Sequence, residues 1–133
     1  MKTSLRSQSA FTLVEIMVVV AIIALLASIA VPSFLRARKR SQATRILEDL
    51  RIIDSAIDQY AVENNKSGGD PVAWKDIQVY LKKGGVLYNS GGADMLGAIY
   101  IGYSVDSIPK LRSTTFTRLS DVAPSDFWSP YYP

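Results

Sequence analysis

The stretch Phe11-Thr12-Leu13-Val14-Glu15-Ile16-Met17-Val18-Val19-Val20-Ala21-Ile22-Ile23-Ala24-Leu25-Leu26-Ala27-Ser28-Ile29-Ala30-Val31 is 21 residues long and carries a single charge, Glu15. As a helix it spans about 31 Å at ~1.5 Å per residue, which matches a bilayer hydrocarbon core of about 30 Å. An acidic side chain at mid-membrane costs roughly 2.5–3.5 kcal/mol, and less near an end. A carboxylate kept at such a cost marks a functional site and needs a partner. No basic residue lies within the stretch, so the partner is a lipid headgroup, water or a group on another molecule.

Downstream, Pro32 lacks the N–H that would bond the Ser28 carbonyl, which predicts a kink rather than a stop. Apolar residues then recur at Ala43, Ile46, Leu47, Leu50, Ile53, Ile57, Tyr60 and Ala61. Steps of three and four give one apolar helical face. Arg45/Asp49 and Arg51/Asp54 are spaced to pair on the wet faces. The run Asn64-Asn65-Lys66-Ser67-Gly68-Gly69 supplies the stop. These signals predict one helix from about Phe11 to about Glu63, apolar all round in its first half and amphipathic in its second.

The remaining residues read as a small mixed unit. Asp70-Pro71 resembles a helix start, predicting a short helix over 71–82. Val86-Leu87-Tyr88 reads as a short strand. In Ile99–Val105, alternation places Ile99, Ile101, Tyr103 and Val105 on one face of a second. Thr114 to Leu119 gives a weaker third strand. The aromatic tail Phe127-Trp128-Ser129-Pro130-Tyr131-Tyr132-Pro133 reads as an ordered extended segment. Residues 64–133 are too few to build a large core alone. Packing a small antiparallel sheet on the stripe of residues 43–61 resolves this. The expected fold class is α+β: a long N-terminal spine helix packed against a small C-terminal antiparallel sheet.

Charge is unevenly distributed. Residues 36–45 hold Arg36, Arg38, Lys39, Arg40 and Arg45 with no acid, whereas residues 46–133 hold eight basic and eleven acidic side chains, net −3. The basic balance is thus a local collar beyond the apolar run. The chain has no Cys and no His. Disulfides, thiolate zinc sites, Cys nucleophiles and imidazole acid–base chemistry are therefore excluded. A membrane-anchored enzyme would have to work with Ser, Lys, Tyr or carboxylates, and no such constellation is visible. A plain single-pass anchor, or a signal peptide cleaved near Ser28-Ile29-Ala30, competes for the apolar run. Glu15 and the length of the run argue against the cleaved signal.

Residues Ala10-Phe11-Thr12-Leu13-Val14-Glu15, the polar basic segment before them, the apolar run and Pro32 together resemble the N-terminal signature of type IV pilins and of the pseudopilins of type II secretion systems. The resemblance implies a leader, residues 1–10, removed by an inner-membrane prepilin peptidase between Ala10 and Phe11. It also implies N-methylation of the new Phe11 amine. The family usually has Gly before the scissile bond, and here stands Ala10. Residues 11–32 would then be the transmembrane and assembly half of the spine, 33–63 its amphipathic half and 64–133 a periplasmic head. Glu15 would set subunit registry by facing the Phe11 amine of a neighbouring subunit, with Pro32 as the bend point.

The function so implied is structural and non-enzymatic: a subunit polymerising from the bacterial inner membrane into a helical filament, foremost a major-type pseudopilin. A small type IV pilin for motility, adhesion or DNA uptake is the alternative. Expected partners are further copies of the chain, minor pilin-like subunits, the peptidase, the inner-membrane assembly platform and membrane lipid. No nucleic acid is expected, and no metal site either. Major pseudopilins often hold calcium in a C-terminal loop, but Asp94, Asp106, Asp121 and Asp126 show no compact ligand spacing and read as surface carboxylates. The collar opposes the implied orientation, because the positive-inside rule would keep residues 36–45 cytoplasmic. Access of the peptidase to Ala10–Phe11 decides for a cytoplasmic leader.

Overall fold

The structure is a computed structural model and describes residues 10–133; the expected leader, apart from Ala10, lies outside them. The chain divides into a first compact unit that ends at Arg36 and a second, Ala37–Pro133. Its longest element, α1 (Leu13–Glu63), is 51 residues long and contains Pro32. The helix assignment is unbroken through the proline. Around it, Ser28 Oγ donates to the Leu25 carbonyl at 2.7 Å and Ser33 Oγ to the Ile29 carbonyl at 3.2 Å.

The part of α1 in the first unit buries nothing: Leu13 is 76% exposed and Ile29 68%. It is long and apolar enough to cross a membrane. The part in the second unit behaves differently. Ala43, Ile46, Leu50 and Ile53 are fully buried, with Leu47, Ala56 and Ile57 nearly so. The stripe read from the sequence is the inner face of this unit, and Tyr60 and Ala61 pack against it half-buried.

What covers the stripe is not a sheet. Four short helices follow: α2 (Trp74–Gln78), α3 (Val86–Asn89), α4 (Ser113–Leu119) and α5 (Ser125–Trp128). Among the described residues, β pairing is limited to isolated antiparallel bridges, Pro71 with Ser104, Ala93 with Ile99 and Ile101 with Lys110. The fold is mostly helical, which corrects the α+β expectation. The two shorter predicted strands, Val86–Tyr88 and Thr114–Leu119, are helical turns.

Ile99–Val105 is extended but does not keep one face. Tyr100 and Val105 are buried, while Ile99 and Ile101 are exposed. Gly102, with φ +84°, lies in the left-handed region, where a side chain is penalised. It breaks the two-residue alternation, so the residues before and after it bury opposite parities. Predicted helix 71–82 shrinks to the single turn and a half of α2. The tail is not simply extended either: α5 buries Trp128, whose Nε1 donates to the Ala123 carbonyl at 3.0 Å.

Tyrosines tie this cover to α1. Tyr100 Oη donates to Asp49 at 3.3 Å and Tyr131 Oη to Asp54 at 3.2 Å. Near the end of α1, Tyr80 Oη donates to Glu63 at 2.7 Å. Asp49 and Asp54, expected to pair with arginines along the helix, are thus turned towards the fold. Burial raises the pKa of both carboxylates, and the tyrosine hydrogen bonds only partly offset it. Burial, with the Asp49 and Asp94 carboxylates nearby, pushes the Tyr100 phenol well up, and burial alone pushes Tyr103 up to about 12.

Two outcomes follow. Ile53→Asp places an unpaired charge in a packed core and should cost the Ala37–Pro133 unit about 4 kcal/mol or more, read as loss of its thermal transition; an unchanged transition would contradict the packing. The tyrosines give the second. Their folded pKa values lie above the unfolded value of 10.0, so their contribution is fully present below pH ~10 and is lost as pH rises towards ~12. The melting temperature should therefore fall above pH ~10, and less steeply in a Tyr100→Phe, Tyr103→Phe double variant.

Candidate assembly site

Ala10 and Phe11 precede α1 in exposed, non-helical backbone. The expected scissile bond therefore lies in a stretch whose peptide groups are not tied up in a helix. Thr12 is the residue before α1, and Glu15 is the third residue of the helix. The Glu15 N–H donates to Thr12 Oγ1 at 3.2 Å, while Glu15 Oε2 accepts the Thr12 N–H at 2.9 Å and its hydroxyl at 3.1 Å. This is a reciprocal capping box, which satisfies two of the donors every helix start leaves open. The acid also lies at the positive end of the helix dipole. Thr12 was missed in the sequence reading, although the spacing Thr-x-x-Glu ahead of an apolar run is its signal. The carboxylate thus has a local structural role besides any intermolecular one, and Oε1 has no hydrogen-bond partner among the described residues.

The collar is split by its contacts. Lys39 Nζ forms an ion pair with Asp121 Oδ2 at 2.9 Å. Arg40 donates to the Val122 carbonyl and stacks its guanidinium 4.5 Å from the Phe127 ring centroid. Both hold the α4–α5 connection against α1. Arg38 is exposed.

The four acids read as surface groups also separate. Asp94 is a correction: it is 5% exposed. Its Oδ1 accepts the Leu96 N–H at 2.8 Å and the Ala98 N–H at 3.0 Å, and its Oδ2 accepts the Thr115 hydroxyl. It pins the turn at residues 94–98 to α4. Asp106, Asp121 and Asp126 are exposed. Among the described residues no three carboxylates gather to hold a metal, and the oxygens of Asp94 are already engaged by donors. These residues do not fit a calcium site.

Against known proteins, residues 5–31 match the model of the prokaryotic N-terminal methylation motif. That motif is the N-terminal signature that type IV pilins and pseudopilins share. It is 36% identical over 61 residues to a type II secretion system core protein G of Aeromonas hydrophila, covering 46% of this chain and 43% of the relative. Identity is 32% over 78 residues with core protein G of Klebsiella michiganensis, covering 59% and 53%. With the type IV major fimbrial protein FimA of Dichelobacter nodosus it is 30% over 102 residues, covering 75% and 65%. The chain thus spans about half the length of the first two relatives and somewhat more of the third. No solved structure matches it. The family is one of structural, non-enzymatic proteins.

The split collar has a measurable consequence. Arg40→Ala should destabilise the Ala37–Pro133 unit by about 1–2 kcal/mol, from one charged hydrogen bond and one cation–π contact. Arg38→Ala should stay within about 0.5 kcal/mol of the parent. Chemical denaturation of the two variants checks this, and equal effects would contradict the assignment.

Proposed function

We propose that this pilin-like chain is a filament subunit that polymerises from the bacterial inner membrane, foremost as a major-type pseudopilin of a type II secretion system. One observation carries the reading: the methylation motif over residues 5–31 leads directly into a 51-residue helix whose first part exposes apolar side chains on every side. In the membrane that surface faces lipid. On assembly it faces the same surface of other copies, so extraction from the bilayer exchanges one apolar environment for another.

Prepilin peptidase cuts between Ala10 and Phe11 and methylates the Phe11 amine. The cut leaves residues 11–32 as the membrane and assembly half, with residues 64–133 of the head in the periplasm. Glu15 keeps its cap through Oε2 and presents its remaining oxygen to the Phe11 amine of a neighbouring subunit. In a core of low dielectric, a register that leaves either charge bare is penalised, which is how a buried pair specifies registry. Pro32 provides the bend point. Minor pilin-like subunits and the inner-membrane assembly platform complete the partner set.

A second reading, a small type IV pilin, is favoured by the fimbrial relative, whose match reaches over 75% of this chain. Deleting the gene separates the two: loss of protein release into the medium supports the secretion subunit, and loss of surface fibres with secretion intact supports the pilin.

N-terminal sequencing and intact mass of the native protein should give a chain that begins at N-methylated Phe11; a start at Val31 would contradict the reading in favour of a cleaved signal. Glu15→Gln keeps the shape and removes the charge. It should leave the membrane-inserted pool and leader cleavage unchanged and cut fibre yield at least about tenfold, the equivalent of ~1.4 kcal/mol per register choice. Parental fibre yield from this variant would remove Glu15 from the mechanism.

A further inference from the structure

The turn that ends α1 takes no part in the membrane half or in the buried core. Residues 62–69, Val62-Glu63-Asn64-Asn65-Lys66-Ser67-Gly68-Gly69, are all exposed. Two hydrogen bonds close the helix: the Asn64 N–H donates to the Tyr60 carbonyl and the Lys66 N–H to the Ala61 carbonyl, both at 3.0 Å. Asn65 lies between them at φ +49°. A six-to-one bond around one left-handed residue is the Schellman end of a helix, and asparagine is accepted there when glycine is not used. The chain is tied to the rest of its unit again at Gly69, whose N–H donates to the Val105 carbonyl at 2.9 Å.

The cap accounts for an asparagine at position 65. It does not account for the serine two residues on. Asn65-Lys66-Ser67 has the Asn-x-Ser spacing, with no proline between, of an acceptor for an N-linked glycan. The chain has three asparagines, and Asn65 alone has this spacing: Asn64 is followed two residues on by Lys66, and Asn89 by Gly91. Asn64 is also engaged, its Nδ2 donating to the Tyr60 carbonyl at 2.9 Å. The side chain of Asn65 makes no hydrogen bond among the described residues. The Ser67 N–H is held by Asp70 Oδ2 at 3.1 Å, while its hydroxyl is free of partners among the described residues. Acceptor amide and neighbouring hydroxyl thus both stand open to solvent. Glu63 sets a carboxylate two residues ahead of the acceptor, where a cationic groove on a transferase can hold it.

We propose that Asn65 is an N-glycosylation site, which takes an oligosaccharide from a polyisoprenyl-diphosphate donor on the periplasmic face of the membrane. The proposal rests on the orientation given above, because donor and transferase must stand on the same side of the membrane as residues 64–133. The bond formed joins Asn65 Nδ2 to the anomeric carbon of the first sugar. The bond broken joins that carbon to the diphosphate oxygen. The polyisoprenyl diphosphate leaves with the bonding electron pair, an Nδ2 proton passes to a carboxylate base on the transferase, and nothing is oxidised or reduced. Ser67 is a positioning residue, whose hydroxyl donates and accepts in the transferase site and so fixes the register of the acceptor. The turn suits the step. Its bonds are few and local and Gly68-Gly69 follow it, so opening it into the extended form an acceptor needs costs little. A glycan here is bulky, solvated and clear of the core.

The test uses the full-length protein purified from its own cells, read by intact mass and by fragmentation that keeps the sugar–asparagine bond. The expected result is the added mass of one oligosaccharide, located on Asn65. Ser67→Ala should lose that mass and Ser67→Thr, which keeps the hydroxyl, should retain it. Asn65→Gly should also lose it while keeping the left-handed cap, and its thermal transition will verify that the fold is intact. The side of the membrane is read separately. Asn89 is exposed and the chain has no native cysteine, so Asn89→Cys in spheroplasts should react with a membrane-impermeant maleimide.

A head labelled from outside with Asn65 unmodified would overturn the proposal and leave the filament reading standing. Sugar carried by the Ser67 hydroxyl itself, or kept on Asn65 in Ser67→Ala, would overturn it too, since the Asn-x-Ser spacing would then not be what the transferase reads. A head that no maleimide reaches would overturn the periplasmic orientation, and the glycan proposal with it.

Discussion

The organising constraint is the apolar surface of a single helix, α1, and the fact that no isolated helix can hide it. Over residues 13–31 the surface goes all the way round, and none of the described residues covers it. Over residues 43–61 it narrows to a stripe, and about seventy following residues are spent covering it. A helix of this length without packing partners has no means of staying dry. The second unit is therefore built to solve one half of the problem, and its short helices, bridges and tyrosine–carboxylate contacts all converge on that stripe. The other half is left to lipid or to other copies.

Glu15 has a local role at the helix start, and the proposed pairing with a neighbouring Phe11 amine would call on the same side chain. The capping box with Thr12 gives the acid a place at the helix start that costs little, because it satisfies donors that any helix exposes. The box uses the carboxylate's Oε2. A charge that is already oriented and partly hydrogen-bonded is pre-organised to meet an amine, which lowers what ordering the pair would otherwise cost. The collar shows the same economy. Lys39 and Arg40 serve the fold through Asp121, Val122 and Phe127, so part of the positive charge that opposes translocation is engaged once the second unit has folded.

The spine was legible because its signals are long. About fourteen turns of consistent apolar pattern over 51 residues, a stop rich in Asn and Gly, and one charge in a membrane-length run leave little room for another reading. The cover was not. Val86–Asn89 and Ser113–Leu119 are too short for periodicity to separate a strand from a helical turn, and tertiary packing decided both. Ile99–Val105 did alternate, but Gly102 reversed its faces, and sequence alone does not tell which glycine takes a positive φ. Asp94 looked like a loop carboxylate because its donors, the Leu96 and Ala98 amides and the Thr115 hydroxyl, belong to a turn and a helix not foreseen. Thr12 and Glu15 carry the Thr-x-x-Glu spacing of a helix cap, a local signal that the same acid's lone charge in an apolar run masks.

An electron cryo-microscopy reconstruction of the native fibre tests the central claim most directly, namely that one helix divides its apolar surface between the fold and the assembly. The account predicts a fibre whose core is filled by residues 11–31 of successive copies, each Glu15 carboxylate within hydrogen-bonding distance of a neighbouring Phe11 amine, while Ile46, Leu50 and Ile53 remain covered by their own chain's Tyr100, Leu111 and Trp128. A fibre in which residues 11–31 lie on the outside, or in which the stripe of residues 43–61 is covered by a neighbouring copy rather than by its own second unit, would contradict it.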